Sequence, residues 1–229
     1  MTLKLIVGNK NYSSWSLRPW IAMKAAGIPF EEQVISLDAP DFKAVVGAVS
    51  GPGKVPVLVD GEVSVWESLA IIEYLAEKFP AAGLWPAEPA ARALARAVAN
   101  EMHAGFQPLR KLMPMNQARA VIKRALTPEA AANVRRIEAL WADCRARYGG
   151  KNGGPFLFGK FGAADAMYAP VVARFHTYAV EVSGPSRAYM DAVMALPAWR
   201  EWYDAAMQET WIMQHNEPDW PLVRGTPVE

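Results

Sequence analysis

One stretch constrains this chain more than any other: Gly53-Lys54-Val55-Pro56-Val57-Leu58-Val59-Asp60-Gly61-Glu62-Val63-Ser64-Val65-Trp66-Glu67-Ser68. Residues 55–59 form a β-branched run, Asp60-Gly61 is a hairpin-turn signal, and Val63 and Val65 carry a short partner strand. Glu67-Ser68 then opens Leu69-Ala70-Ile71-Ile72-Glu73-Tyr74-Leu75, whose apolar positions recur at helical spacing. Pro56 falls early in a strand that should be central, where a missing backbone donor is costly. A cis Val55–Pro56 bond accounts for it, turning the Val55 amide and carbonyl out of the ladder toward a ligand backbone. Ser68 lies in the first turn of the helix, where free amides and the positive dipole end attract a carboxylate. A main-chain hook beside an anion-binding helix start suits a short acidic peptide.

The rest of the first 80 residues frames this hairpin. Residues 3–7 are a continuous apolar run, as expected of a strand buried on both faces. A helix follows from Ser14 or Ser16 to Ala26, stopped by Gly27 and Pro29, and residues 30–37 form a second strand. Strand, helix, strand implies a right-handed parallel crossover. A short helical piece at 41–46 leads to the hairpin. From Ala87 onward the strands vanish. A long helix is expected over 90–113, kinked or ended by Pro108 and Pro114, with others at 127–148, 163–179, 187–195 and 198–213. The order predicts an α/β domain over 1–80, thioredoxin-like, a proline-bounded linker at 80–86, and an all-helical domain over 87–229.

Net charge of +1 gives no electrostatic case for nucleic acid or an anionic membrane. Cys144 is the only cysteine, which excludes an internal disulfide and a thiolate metal cluster; its i, i+3, i+4, i+7 neighbours mark it as a buried small hydrophobe. The amino terminus is too short and too quickly polar for a signal peptide, and no apolar run is long enough to span a bilayer, so a cytoplasmic location is expected.

Val55-Pro56, followed after a hairpin by Glu67-Ser68 and Ile71-Ile72-Glu73-Tyr74-Leu75, resembles the glutathione-binding half of the cytosolic glutathione transferases. Tyr12-Ser13-Ser14-Trp15-Ser16 resembles the Ser-Ser-Cys-Ser motif of the zeta-like group, and Ala104-Gly105-Phe106-Gln107-Pro108-Leu109 resembles a zeta helix segment. The resemblance implies a bacterial glutathione transferase acting in detoxification, working as a homodimer, with glutathione as co-substrate and no metal. It implies thiolate stabilisation by Ser13, or by Ser14, with Tyr12 as a competing hydroxyl and Ser16 as a helix cap. By the same match Val55 and Pro56 pair with the cysteinyl unit. Ser68 takes the γ-glutamyl carboxylate and Glu67 its ammonium, while Lys54 reaches the glycyl carboxylate and Gln107 also contacts glutathione. Trp15, Arg110 and Met113, with Met115 and Trp211, are expected to line a pocket for a small hydrophobic electrophile.

Two alternatives stay open. One is a zeta-type isomerase of maleylacetoacetate-like diacids, with Arg18 or Arg110 on substrate carboxylates; Trp15, replacing the motif's cysteine, weighs against it. The other is a binding protein of the same fold without chemistry. Gly162 stands where the family's capping box has Ser or Thr, with Asp165 three residues on, a folding device rather than a catalytic one.

Overall fold

A computed structural model of the chain describes residues 2–151 and 153–217, so the last part of the expected helical domain lies outside the described residues. Its first unit is a four-stranded sheet. Strands β1 (Lys4–Gly8) and β2 (Glu31–Ile35) are parallel, joined by helix α1 (Ser14–Ala25). Strand β3 (Val57–Asp60) runs antiparallel to β1, and β4 (Val63–Trp66) antiparallel to β3, giving the order β2-β1-β3-β4. The two-residue loop Gly61-Glu62 closes the hairpin. Gly61 sits at φ +62°, the positive value that the first loop residue of such a turn requires. β3 begins at Val57, so Pro56 precedes the ladder, and the Val55–Pro56 peptide is cis.

Alternation along β1 separates two packed faces. Leu5 and Val7 join Leu58, Ile71, Ile72 and Trp20 under α1 and α3 (Ser68–Lys78). Ile6 packs with Ile35, Val57 and Val46 under the short α2 (Phe42–Gly47). A sheet sandwiched this way holds the start of α1 and the start of α3 at the same end, and these two helix ends frame the site below.

The second unit is helical. α4 (Pro89–Ala104) and α5 (Gln107–Leu112) replace the single long helix expected over 90–113. The break falls at Gly105-Phe106, where Phe106 takes a left-handed φ of +62°; Pro108 sits in the first turn of α5, where its missing donor costs nothing. α6 (Pro128–Cys144) is capped by the Thr127 hydroxyl on Ala130 N and passes into a π-turn over Arg145–Gly149. α7 (Ala163–Thr177) is buried along its length; α8 (Gly184–Met194) packs on it, and α9 (Pro197–Gln208) packs on α8 and α1. α9 ends at Gln208 rather than at Met213, and the chain then turns back across the first unit. Cys144 is buried, and burial pushes its thiol up to about 12, as befits a core residue.

The linker is not a loose tether. Leu84 and Trp85 are buried, the Leu84 carbonyl accepts from Ala163 N at 2.8 Å, and the Trp85 indole donates to Glu73 at 3.0 Å. One apolar cluster therefore runs without a break from the sheet through the linker to α7 and α9.

Candidate active site

The start of α3 is built to leave polar groups open. Glu67, its N-cap residue, has φ +68° and places no side chain on the first-turn amides. A non-glycine residue at positive φ costs about 1–3 kcal/mol and tends to mark a functional site. Ser68 is 1% exposed, and its hydroxyl has no hydrogen-bond partner among the described residues. A buried hydroxyl beside uncapped amides is a ready receptor for a carboxylate. Ser68 lines a cavity of about 160 Å³ with Lys54, Val55, Pro56, Glu67 and Trp15, joined by Pro52 and Trp66. Six residues singled out in the sequence thus face one space. Lys54 and Glu67 are exposed, so both charges are solvated.

Trp15 connects this cavity to the serine turn. β1 ends at Gly8, where a Cβ would lie 2.7 Å from Leu37 and 3.2 Å from the Ser13 side chain, so glycine lets the turn approach closely. Ser13 is the N-cap of α1: its hydroxyl accepts from Ser16 N at 3.4 Å and donates to the Ser16 hydroxyl at 2.8 Å, which in turn accepts from Gly8 N at 3.1 Å. The cap role expected of Ser16 belongs to Ser13, because only the residue before the helix has the non-helical backbone that capping needs. Ser14 is buried, and its hydroxyl bonds to no described residue. Tyr12 is otherwise engaged. Its hydroxyl donates to Glu217 at 2.6 Å, and burial together with that carboxylate pushes the phenol up to about 12.

Positive charge gathers behind Trp15. The guanidinium carbons of Arg18 and Arg110 lie 4.2 and 4.7 Å from its ring centre, and His103 meets its edge at 5.3 Å. Arg110 donates to the carbonyls of Met102, His103 and Gly105 at the end of α4. Arg18 is 0% exposed, and none of its three guanidinium nitrogens has a hydrogen-bond partner among the described residues. Burial, then Arg110 and Arg174, push its pKa down. His103 lies 3.7 Å from Glu67, and burial, followed by Arg18, lowers its pKa.

Other expected residues fall elsewhere. Gln107 is exposed and lines a separate cavity of about 630 Å³ with Pro108, Lys111, Leu112, Arg124, Thr127 and Glu129, none of which reaches the first cavity. Met113 and Met115 are buried in the apolar core and line neither of these two cavities. Trp211 is 43% exposed. Arg18 as an unpartnered interior cation was not legible beforehand. Its spacing of four from Ser14 was the available signal, because helical side chains lean back over the preceding turn.

Family models described as glutathione S-transferase, N-terminal domain, and glutathione S-transferase, C-terminal domain, match residues 12–78 and 117–205. A probable maleylacetoacetate isomerase of Caenorhabditis elegans is 40% identical over 101 residues, 44% of this chain and 47% of that protein. A dichloromethane dehalogenase of Methylorubrum extorquens is 48% identical over 60 residues, 25% of this chain and 21% of that one. The maleylacetoacetate isomerase of Rattus norvegicus is 27% identical over 194 residues, 82% of this chain and 87% of that one. The chain spans about half the length, or less, of the first curated relatives it matches. Among solved structures, a Burkholderia glutathione transferase homolog with bound glutathione superposes with a TM-score of 0.66 at 21% identity, covering 90% of this chain and 98% of that one; likeness at this identity establishes the fold.

Proposed function

The chain belongs to the glutathione S-transferase family, and on that premise we propose that it binds glutathione beside Trp15 and transfers its thiolate to a small hydrophobic electrophile. The observation that carries this reading is the buried, unpartnered Ser68 hydroxyl at the uncapped start of α3, in one cavity with Val55. Ser68 and the first-turn amides hold the γ-glutamyl carboxylate, Glu67 its ammonium, Val55 the cysteinyl backbone, and Lys54 the glycyl carboxylate. The sulfur then lies toward the start of α1. A free thiol is mostly protonated at neutral pH, and the site need only stabilise its anion. The free Ser14 hydroxyl can donate to sulfur directly, whereas Ser13 must first release Ser16. The amino end of α1 and the buried cation Arg18 add a positive field.

Immobilised glutathione should retain the protein, and bound glutathione should show thiolate absorbance at neutral pH. Ser14→Ala and Ser13→Ala should raise the bound thiol's pKa, while Tyr12→Phe should not. Unchanged thiolate in a Ser13, Ser14, Tyr12 triple substitution refutes the assignment.

One observation favours a second reading. Arg18, Arg110 and Arg174 crowd one region with Glu67 as the nearby carboxylate, an arrangement suited to an anionic second substrate. Relatives bearing the name maleylacetoacetate isomerase point the same way. Turnover of such a diacid with glutathione regenerated favours isomerisation over conjugation. We further propose a homodimer. The apolar face of α4 is turned into the protein's own core, so the exposed Val63 and Trp66 of β4 are the better contact surface.

A further inference from the structure

The loop between β1 and α1 carries both serines, and residues distant in sequence hold its shape. Within it, the amides of Tyr12 and Ser13 donate to the Asn9 carbonyl at 3.1 and 2.7 Å, which closes a tight turn. That turn leaves the two preceding amides, Lys10 N and Asn11 N, pointing outward side by side. Consecutive amides in such a turn form a concave anion receptor. It is filled by the protein itself: the Glu209 carboxylate accepts from Lys10 N at 2.5 Å and from Asn11 N at 3.0 Å. Glu209 is the first residue beyond α9. The Lys10 carbonyl accepts from the Trp202 indole of the same helix at 2.9 Å, so α9 grips both sides of this short segment.

We propose that Glu209 is a positioning residue for thiolate chemistry, fixing the loop so that the serine hydroxyls and the first amides of α1 point at the sulfur. The inference rests on the function proposed above. Without the carboxylate, two neighbouring amides lose their acceptor in a part-buried place and the turn is free to open. Ser14 lies only three residues beyond Asn11, and small misplacements of a reacting group are costly. The tripeptide receptor at Val55 and Ser68 lies on other elements, and only Trp15 joins it from the start of α1, so binding should suffer less than the chemistry when the loop is disturbed.

Glu209→Gln in the full chain tests this, since one amide oxygen can serve only one of the two donors well. We expect the bound thiol's pKa to rise by about one unit and kcat to fall by about tenfold, with the glutathione dissociation constant changed less than about twofold. Glu209→Asp, which keeps both carboxylate oxygens on a shorter arm, should show smaller but measurable shifts in the same directions. Glu201→Gln, a change on α9 that removes only the exposed pair with Lys24 of α1, should change none of these readings. Unchanged thiol pKa and kcat alongside a lowered melting temperature would make the contact purely structural and overturn the proposal. A lowered thiol pKa would also overturn it, because the carboxylate's own field would then outweigh positioning. Should Glu209→Gln fail to fold, Glu209→Asp takes its place: small shifts in the same directions support the proposal, and wild-type values overturn it. Absence of bound thiolate in the unmodified protein would instead sink the underlying function and leave the loop's geometry intact.

Discussion

A buried hydroxyl without a partner lowers stability by the desolvation it has not recovered. On the proposed function, that cost at Ser68 is set against a ligand, so removing the hydroxyl should separate stability from binding. Ser68→Ala should leave the melting temperature of the free protein unchanged or slightly raised, while weakening glutathione by roughly tenfold, the worth of a hydrogen bond to a charged group. Titration calorimetry beside thermal melts checks both. Arg18 follows the same logic with a larger sign. Its guanidinium is desolvated without one hydrogen bond to the described residues, sits near Arg110 and Arg174, and lies close to the positive end of α1. Among the described residues, stacking on Trp15 offsets this by up to about 2 kcal/mol, with weaker attraction from Tyr168 and Glu67. Arg18→Met, similar in volume and apolar, should therefore stabilise the free protein by about 1 kcal/mol, a rise of roughly 2–4 °C in melting temperature. A fall would mean that the cation has a partner beyond these contacts.

Helix ends were the most readable elements and also the place where close backbone approach overrode local rules. The stops at Gly27 and the Thr127-Pro128 start were legible because caps act within a few residues. The break at Gly105-Phe106 was not, since Pro108 is the louder signal and a left-handed Phe106 has no local cause. Gly162 was legible as an odd cap, but its reason lies 78 positions away. Asp165 accepts from Gly162 N and from Leu157 N, both at 3.0 Å, so half of the capping box works. The missing hydroxyl follows from packing: a Cβ at Gly162 would meet the Leu84 carbonyl oxygen at 2.8 Å. Restoring the family's serine should therefore harm this protein. The cap itself is worth only a few tenths of a kcal/mol over glycine, whereas overpacking against backbone costs about 1–3 kcal/mol. Gly162→Ser should destabilise by about 1–2 kcal/mol in urea unfolding, and a stabilised variant would show that the linker yields.

Connections between the two units were the least readable, because nothing in the local pattern couples residues nearly two hundred positions apart. The hairpin, the crossover and the change to all-helical structure follow from periodicity and turn chemistry. Glu209 on the Lys10 and Asn11 amides, Glu217 on Tyr12, and the Leu84 carbonyl on Ala163 do not. These links decide how the protein unfolds. Lys10 is almost fully buried at the junction, paired with Glu32 at 2.8 Å and lying over the rings of Trp20 and Trp202, which themselves meet edge to face at 5.1 Å. Trp20 belongs to the first unit and Trp202 to the second, and α1 packs on both α7 and α9. Two domains with separate cores would melt separately; a shared core leaves neither half a stable remainder. Calorimetry should accordingly give one transition whose calorimetric and van't Hoff enthalpies agree, and residues 1–80 expressed alone should not fold, since α1 would expose Trp20, Leu17 and Ile21 to water. Two resolved transitions, or a folded fragment that still binds glutathione, would place the chemistry wholly within the first unit and leave α9 no part in shaping the serine loop.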